Sequence, residues 1–249
     1  MAIIVKSDRE IALMRQAGRI VAIVLEILGR EIREGMKTKE LDIIAARELE
    51  RLGARPSFKG YHGYPASICV SVNDEIVHGI PGERVLKEGD IVSLDVGAIY
   101  DGLQGDAAVT MGVGEISPTA KRLMEATQGA LEAGIAAARN GARLGDISAA
   151  IQKHAESKGF SVIREYTGHG IGRDMHEEPQ IPNFGVPGTG PLLKKGMTLA
   201  LEPMLSAVDW HTRLGEDNWV VRTADGSLAA HFEHTIAITS GKAEVLTVV

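Results

Sequence analysis

With 249 residues, 44% of them hydrophobic and 24% charged, the chain can bury a core that needs no disulfide or structural metal. Its one cysteine, Cys69, excludes an internal disulfide and any C-x-x-C zinc module, and fits a reducing cytoplasm. A net charge of −6 with scattered Lys and Arg leaves no concentrated basic face, which argues against nucleic-acid binding.

In chain order, Ser7-x-x-Glu10 is a capping box and predicts a first helix over about residues 8–33. "IVAIVLEIL" (20–28) is the most apolar run, but Glu26 interrupts it and it is far too short to span a bilayer. No basic segment precedes it and no cleavage site follows, so the expectation is a cytoplasmic protein without membrane contact. "GMKTKELD" (35–42) opens a second amphipathic helix, with Thr38 near its start and Gly53 at its stop. "IVSLDVGAIYDGLQGDAAVTMGV" (91–113) reads as a hairpin turning at Asp101-Gly102. Ser117-Pro118 supplies an N-cap and a proline at the first position of a third helix ending near Gly141. "GARLGDIS" (141–148) opens a fourth, with Asp146 near its start and Gly159 at its stop, and "FEHTIAIT" (232–239) reads as a strand.

The chain repeats itself. "LKEGDIVSLD" (86–95) and "LKKGMTLALE" (193–202) share Leu, Lys, Gly and Leu in register and both end in a carboxylate, Asp95 against Glu202. Gly53 and Gly159, like the segments at 35 and 141, lie 106 residues apart. No linker-like tract appears, so the reading is one domain over 1–249 made of two related α/β halves, roughly 1–112 and 113–249. Two units of this length are not a solenoid.

A two-residue turn at Asp101-Gly102 pairs residue i with residue 203 − i, so Asp95 faces Ala108 and Asp106 faces Gly97. The two aspartates are then diagonal neighbours on one face, ~7–8 Å apart at the backbone, while Val92, Leu94 and Val96 take the other. Carboxylates aimed together into a half-buried surface survive by sharing a proton or by binding cations. Glu202 holds the place of Asp95 in the second half, and Glu233 stands before an apolar run as Asp106 stands before "AAVT". A pseudo-two-fold axis would gather all four at one centre, where two divalent ions balance the charge. Such an oxygen-rich set with one imidazole suits Mn²⁺, Fe²⁺, Co²⁺ or Zn²⁺ better than Cu⁺. Two ions at such a centre bridge one water and activate it, as in hydrolases.

"GHGIGRDMHEEP" (168–179) carries two histidines but matches neither H-E-x-x-H nor G-x-G-x-x-G. Spacing alone leaves its histidines open as ligands, proton carriers or loop residues. His231 shares strand parity with Glu233 and is read as a polar residue at the rim; His234 points the other way and is read as structural. His62 is a candidate for the groove lining, and His154 and His211 read as surface residues. Cys69, in an apolar-alternating strand, reads as a small buried hydrophobe and not as a nucleophile.

Over essentially its whole length the chain resembles the type I methionine aminopeptidases, the short bacterial form of the pita-bread-fold metallopeptidases. The matching motifs are "GYHGYPASICVSVNDEIVHGIPG", "DVGAIYDGLQGDAAVT", "GHGIGRDMHEEP", "LALEPM" and "FEHTIAIT". The resemblance implies an α+β fold, with the two halves around a central antiparallel sheet. It implies Asp95, Asp106, His169, Glu202 and Glu233 as ligands of two divalent cations (Co²⁺, Mn²⁺, Fe²⁺ or Zn²⁺), with Asp106 and Glu233 bridging. It also implies His78 and His176 as substrate-contacting histidines, and Glu202 as proton acceptor. Phe58, Tyr61, Tyr64, Cys69, Met175 and Trp219 match the methionine pocket. Many relatives carry an aromatic where Met175 stands, and the softer methionine side chain points to a looser methionine preference or a lower affinity.

The implied reaction is removal of the N-terminal methionine from a new polypeptide whose second residue is small. The implied partners are nascent N-termini, with transient ribosome contact, and a monomer is the default. Prolidase, Xaa-Pro aminopeptidase and creatinase share the fold but carry an extra N-terminal domain, for which the capping box at Ser7 leaves no room. The thirty-odd residues from Glu202 to Glu233 also exclude the insertion of the type II enzymes. A pita-bread protein that only binds partners would lack ligands, and all five are present.

Overall fold

A computed structural model describes residues 2–249. Helix α1 (Asp8–Glu31) begins at the capping box: the Glu10 N–H donates to Ser7 Oγ at 3.3 Å, and the Ser7 N–H donates to the Glu10 carboxylate at 2.9 Å. It stops just short of the predicted residue 33 because Ile32 turns extended, with ψ 128°. Met14, Ala17, Val21, Val24 and Leu28 recur at helical spacing and form its buried face. That face lies directly on the hairpin, so close that a Cβ on Gly105 would meet the Gly18 nitrogen at 2.6 Å.

The hairpin has the predicted register. Ile91–Tyr100 pairs antiparallel with Leu103–Gly112, Asp95 facing Ala108 and Asp106 facing Gly97. Asp101 and Gly102 have φ of 48° and 79°, both positive as a two-residue hairpin turn requires. Cys69–Val72 flanks the Ile91–Tyr100 strand on its other edge.

Helices α2 (Thr38–Arg51), α3 (Pro118–Ala137) and α4 (Leu144–Ser157) follow the sequence signals. Helix α3 ends before the predicted Gly141 because Ala138 leaves helical geometry, with ψ 92°. The duplication is visible atom by atom. The Lys37 N–H donates to Glu40 at 2.8 Å and the Arg143 N–H to Asp146 at 2.7 Å, opening α2 and α4 alike. The Leu86 N–H donates to the Met36 carbonyl and the Leu193 N–H to that of Ala142, both at 2.8 Å. Gly89 and Gly196, 107 residues apart, share φ of 89° and 90°.

The second half builds a five-stranded sheet in which Thr198–Leu201 lies between Thr167–Gly170 and His234–Ala237. Outer strands Glu177–Pro182 and Glu244–Val245 complete it. Apolar clusters fill the space beneath α1/α2 and beneath α3/α4, so the facing edges of the two sheets are left to form a site.

Those edges are stitched by backbone. Ala108 and Glu233 exchange both amide bonds, at 2.9 and 3.3 Å. Thr110 Oγ1 donates to the His231 carbonyl at 2.8 Å and accepts its N–H at 2.9 Å. Thr235 Oγ1 does the same for Asp106, at 2.8 and 3.0 Å. The pseudo-two-fold axis therefore passes between Ala108 and Glu233 and relates Thr110 to Thr235, each pair 125 residues apart. One expectation is corrected here. Glu233 is the counterpart of Ala108, and the counterpart of Asp106 is His231. A shift of two residues preserves strand parity, so alternation in the sequence could not distinguish the two alignments. Among the described residues, no helix is long and apolar enough to cross a membrane.

Candidate active site

Five side chains converge where the halves meet. Asp95 and Asp106 come from the hairpin, His169 from the Thr167–Gly170 strand, Glu202 from just beyond Thr198–Leu201, and Glu233 from just before His234–Ala237. Asp106, His169 and Glu233 each offer one donor atom within 4.8 Å of the others. His169 Nε2 lies 3.5 Å from Glu202 Oε1. The His169 ring is set by its own strand: Nδ1 is 2.9 Å from the Gly170 carbonyl, so Nδ1–H donates there and leaves Nε2 as the free donor. Its neighbours must be glycine for reasons of space. A Cβ on Gly168 would meet the Ala200 oxygen at 2.5 Å, and one on Gly170 the Glu178 oxygen at 2.2 Å.

The electrostatics of this cluster are unfavourable as they stand. Burial pushes the Asp95 carboxyl up to about 7. Asp106, Glu202 and Glu233 are pushed well up, first by burial and then by the neighbouring carboxylates. Burial drives the His169 imidazole down to about 3, with His176 adding to the effect. Asp95 Oδ1, Asp106 Oδ1 and Glu233 Oε1 are buried without a hydrogen-bond partner. Orphaned acceptors of this kind, with a neutral imidazole nitrogen beside them, are the donor set that a divalent cation completes.

Above the carboxylates opens a cavity of about 430 Å³. Every residue expected in the site lines it: Phe58, Tyr61, Tyr64, Cys69, Met175 and Trp219 on the walls, with His78, His176 and the five carboxylate and imidazole donors. His62 lines it as well. The walls are tied together by hydrogen bonding and ring packing. Tyr64 donates its hydroxyl to the Gly79 carbonyl at 2.9 Å and packs edge-on against Trp219 at 5.0 Å. Met175 is buried. Cys69 sits opposite Asp95, and burial and then that carboxylate push its thiol up, which agrees with a hydrophobe and not with a thiolate nucleophile.

His176 lies 4.3 Å from the His169 ring, with Nδ1 2.7 Å from the Tyr61 hydroxyl. Burial, and then His62, lower its pKa. Its loop is held by Glu177, which accepts the Arg173 N–H at 2.9 Å and pairs with the buried Lys6 ammonium. His78 stands in left-handed geometry, φ 62°, and burial pulls it down to about 4.

His231 corrects a second expectation. It is not a rim residue: it is 1% exposed, and its unpartnered Nε2 lies 3.8 Å from Glu202 Oε2 and 3.9 Å from Glu233 Oε2. Parity with Glu233 gave its face; its depth follows from the Thr110 clamp on its backbone, which no local pattern shows. His234 is structural as expected, with Nδ1 2.7 Å from Thr247 Oγ1. His211 is exposed and stacks on Trp210 at 3.8 Å, and His154 packs on the surface against Gly129.

Known proteins resemble the chain over nearly its whole length. The chain is 55% identical to "Methionine aminopeptidase 1" of Bacillus subtilis, over 98% of this chain and 99% of that one. It is 50% identical to "Methionine aminopeptidase" of Clostridium acetobutylicum, over 98% of each. The crystal structure of methionine aminopeptidase from Thermotoga maritima superposes with a TM-score of 0.98 at 51% identity and covers all of both chains. Prolidase from Pyrococcus furiosus matches with a TM-score of 0.81 at 22% identity, over 99% of this chain and 66% of that one, a likeness of fold. The architecture is the expected pita-bread fold. The family model for "Metallopeptidase family M24" matches residues 12–240, and the chain belongs to that family.

Proposed function

We propose that the protein is a metal-dependent aminopeptidase that removes the N-terminal methionine of new polypeptides whose second residue is small, acting as one catalytic domain over 1–249. The observation that carries this reading is the cavity itself, a largely apolar cleft lined by four carboxylates and an imidazole. A free methionine side chain fits its walls, and the amine and first peptide bond reach the floor. Asp95, Asp106, His169, Glu202 and Glu233 would hold two divalent cations (Co²⁺, Mn²⁺, Fe²⁺ or Zn²⁺). When bound, such a pair supplies Lewis-acid polarisation of the scissile carbonyl and an activated water nucleophile.

The chain's own groups do the rest. Glu202 accepts a proton from the attacking water. The Tyr61 hydroxyl donates to His176 Nδ1, which leaves Nε2–H to donate to the developing oxyanion. His78, kept neutral by burial, contacts the scissile nitrogen. Phe58, Tyr61, Tyr64, Cys69, Met175 and Trp219 enclose the methionine side chain and exclude water. The matching setting is a monomer in the cytoplasm that meets nascent N-termini, with transient contact to the ribosome.

Hydrolysis of Met-Ala-Ser and Leu-Ala-Ser by metal-stripped protein, titrated with Mn²⁺, Co²⁺ or Fe²⁺, tests this. Metal-dependent release of methionine, well above leucine, is expected. Cleavage of neither peptide by protein that has bound its cations would overturn it.

A further inference from the structure

Glu233 and His231 stand two residues apart on the same face of the second half, and Glu233 alone belongs to the proposed ligand set. His231 is 1% exposed and its backbone is clamped at both N–H and carbonyl by Thr110 Oγ1, at 2.9 and 2.8 Å. Its Nε2 is buried without a partner and lies between two carboxylates, 3.8 Å from Glu202 Oε2 and 3.9 Å from Glu233 Oε2. It does not line the cavity, so it has no part in holding the methionine side chain. A polar atom left unpaired at this depth is costly, and packing alone gives no reason to retain it.

We propose that His231 is a positioning residue for the metal pair, presenting Nε2–H between Glu202 and Glu233 so that each carboxylate turns its remaining lone pairs to a cation. A movement of about 0.8 Å brings Nε2 from its present distances to hydrogen-bond length, within what a carboxylate rotation supplies. His231 Nε2 stands beside two of the carboxylates, at 3.8 and 3.9 Å. Carboxylate ligands are themselves held by such outer donors, and losing one weakens metal binding roughly 10- to 100-fold.

The inference rests on the metal-pair reading, and its test is chosen to fail separately from it. Calorimetric titration of metal-stripped protein with Mn²⁺ reads affinity without activity, for the wild type, His231→Gln and His231→Leu. Gln carries an amide N–H to about the position of Nε2; Leu fills the space without a donor. The expected result is wild-type affinity in H231Q and a loss of roughly 10- to 100-fold in H231L, with metal-free H231L melting no lower than the wild type. Wild-type affinity in H231L would make His231 packing and overturn the proposal. Equal loss in both variants, with a changed visible spectrum of the Co²⁺-loaded protein, would make His231 a ligand and also overturn it. No cation binding by the wild type would instead remove the metal-pair reading on which the proposal stands.

Discussion

The two halves share a frame and differ in what they mount on it. Lys37 and Arg143 open matching helices, Gly89 and Gly196 turn matching loops, and Thr110 and Thr235 clamp each other's strands. On the face towards the cavity the correspondence breaks. Only Asp95 and Glu202 keep a carboxylate in both halves. His169 lies opposite Ala200 as Ser71 lies opposite Ser93, so the counterpart of the imidazole is a serine. Glu233 answers to Ala108, and His231 to Asp106. The lesson is that duplication supplied a symmetric cradle and divergence supplied the chemistry. The first half gives two short carboxylates, and the second gives two longer ones and the imidazole beside them, His169.

The strongest way to break the comparison is to make the halves alike. Glu233→Ala gives the second half the residue that the first half has at Ala108. Both cations should be lost from calorimetric titration, and kcat/KM should fall by more than the roughly 100-fold that loss of an outer donor costs. Next comes His176, a second-half imidazole that lines the cavity beside His169. His176→Ala should lower kcat by roughly 10²–10³ as for a removed oxyanion donor, with KM and metal content little changed. Steady-state kinetics on Met-Ala-Ser separates the two.

The carboxylates and imidazoles also leave opposite marks on stability. In metal-free protein the four carboxyls titrate above their unfolded range near 4, with Asp95 at about 7. Their folded forms hold protons longer, so they favour folding at low pH and lose that contribution as pH rises towards 7 and beyond. His78, His169 and His231 are held down at about 4, 3 and 3, below the unfolded 6.5, so their contribution is present above 6.5 and is lost as pH falls through that window. Above pH 6.5 only the carboxylates act, and the Tm of metal-free protein should fall from there to pH 8. Added Mn²⁺ should abolish that fall. A Tm that rises over the same range in metal-free protein would contradict the assignment.

Smaller effects test the frame. Thr110→Val and Thr235→Val each leave one buried N–H unpaired, at His231 and Asp106 respectively, and should each cost about 1–3 kcal/mol in urea unfolding. Near-equal losses would bear out the axis between Ala108 and Glu233; a loss in one variant alone would displace it. Smallest of all, Asp146→Ala should lower Tm more than Glu40→Ala. Both cap a helix, but Asp146 also accepts the Gly188 N–H at 2.7 Å.

Much of this was legible in the sequence because local rules carried it. The turn at Asp101-Gly102 fixes the register that places Asp95 beside Asp106, the box at Ser7 starts α1, and the repeat offset announces a second carboxylate strand. What local rules do not carry is the register between the halves. It is set by Thr110 and Thr235 reaching across more than a hundred residues, and it decides both the true partner of Glu233 and the burial of His231. The short pairing of Glu75–Val77 with Val221–Thr223 was out of reach for the same reason, since neither segment is long enough to show a period.

That cross-half ladder also sets a clock. The hairpin carrying Asp95 and Asp106 can close as soon as residue 112 has been synthesised, because its contacts are local. The partners of those carboxylates arrive with Glu202 and Glu233, and the bonds that lock them join residues 110 to 231 and 106 to 235. No shorter growing chain contains the centre. During its own synthesis the protein is inactive until the strand that follows Glu233 emerges, so the onset of peptide cleavage reports arrival of the second half's last ligand.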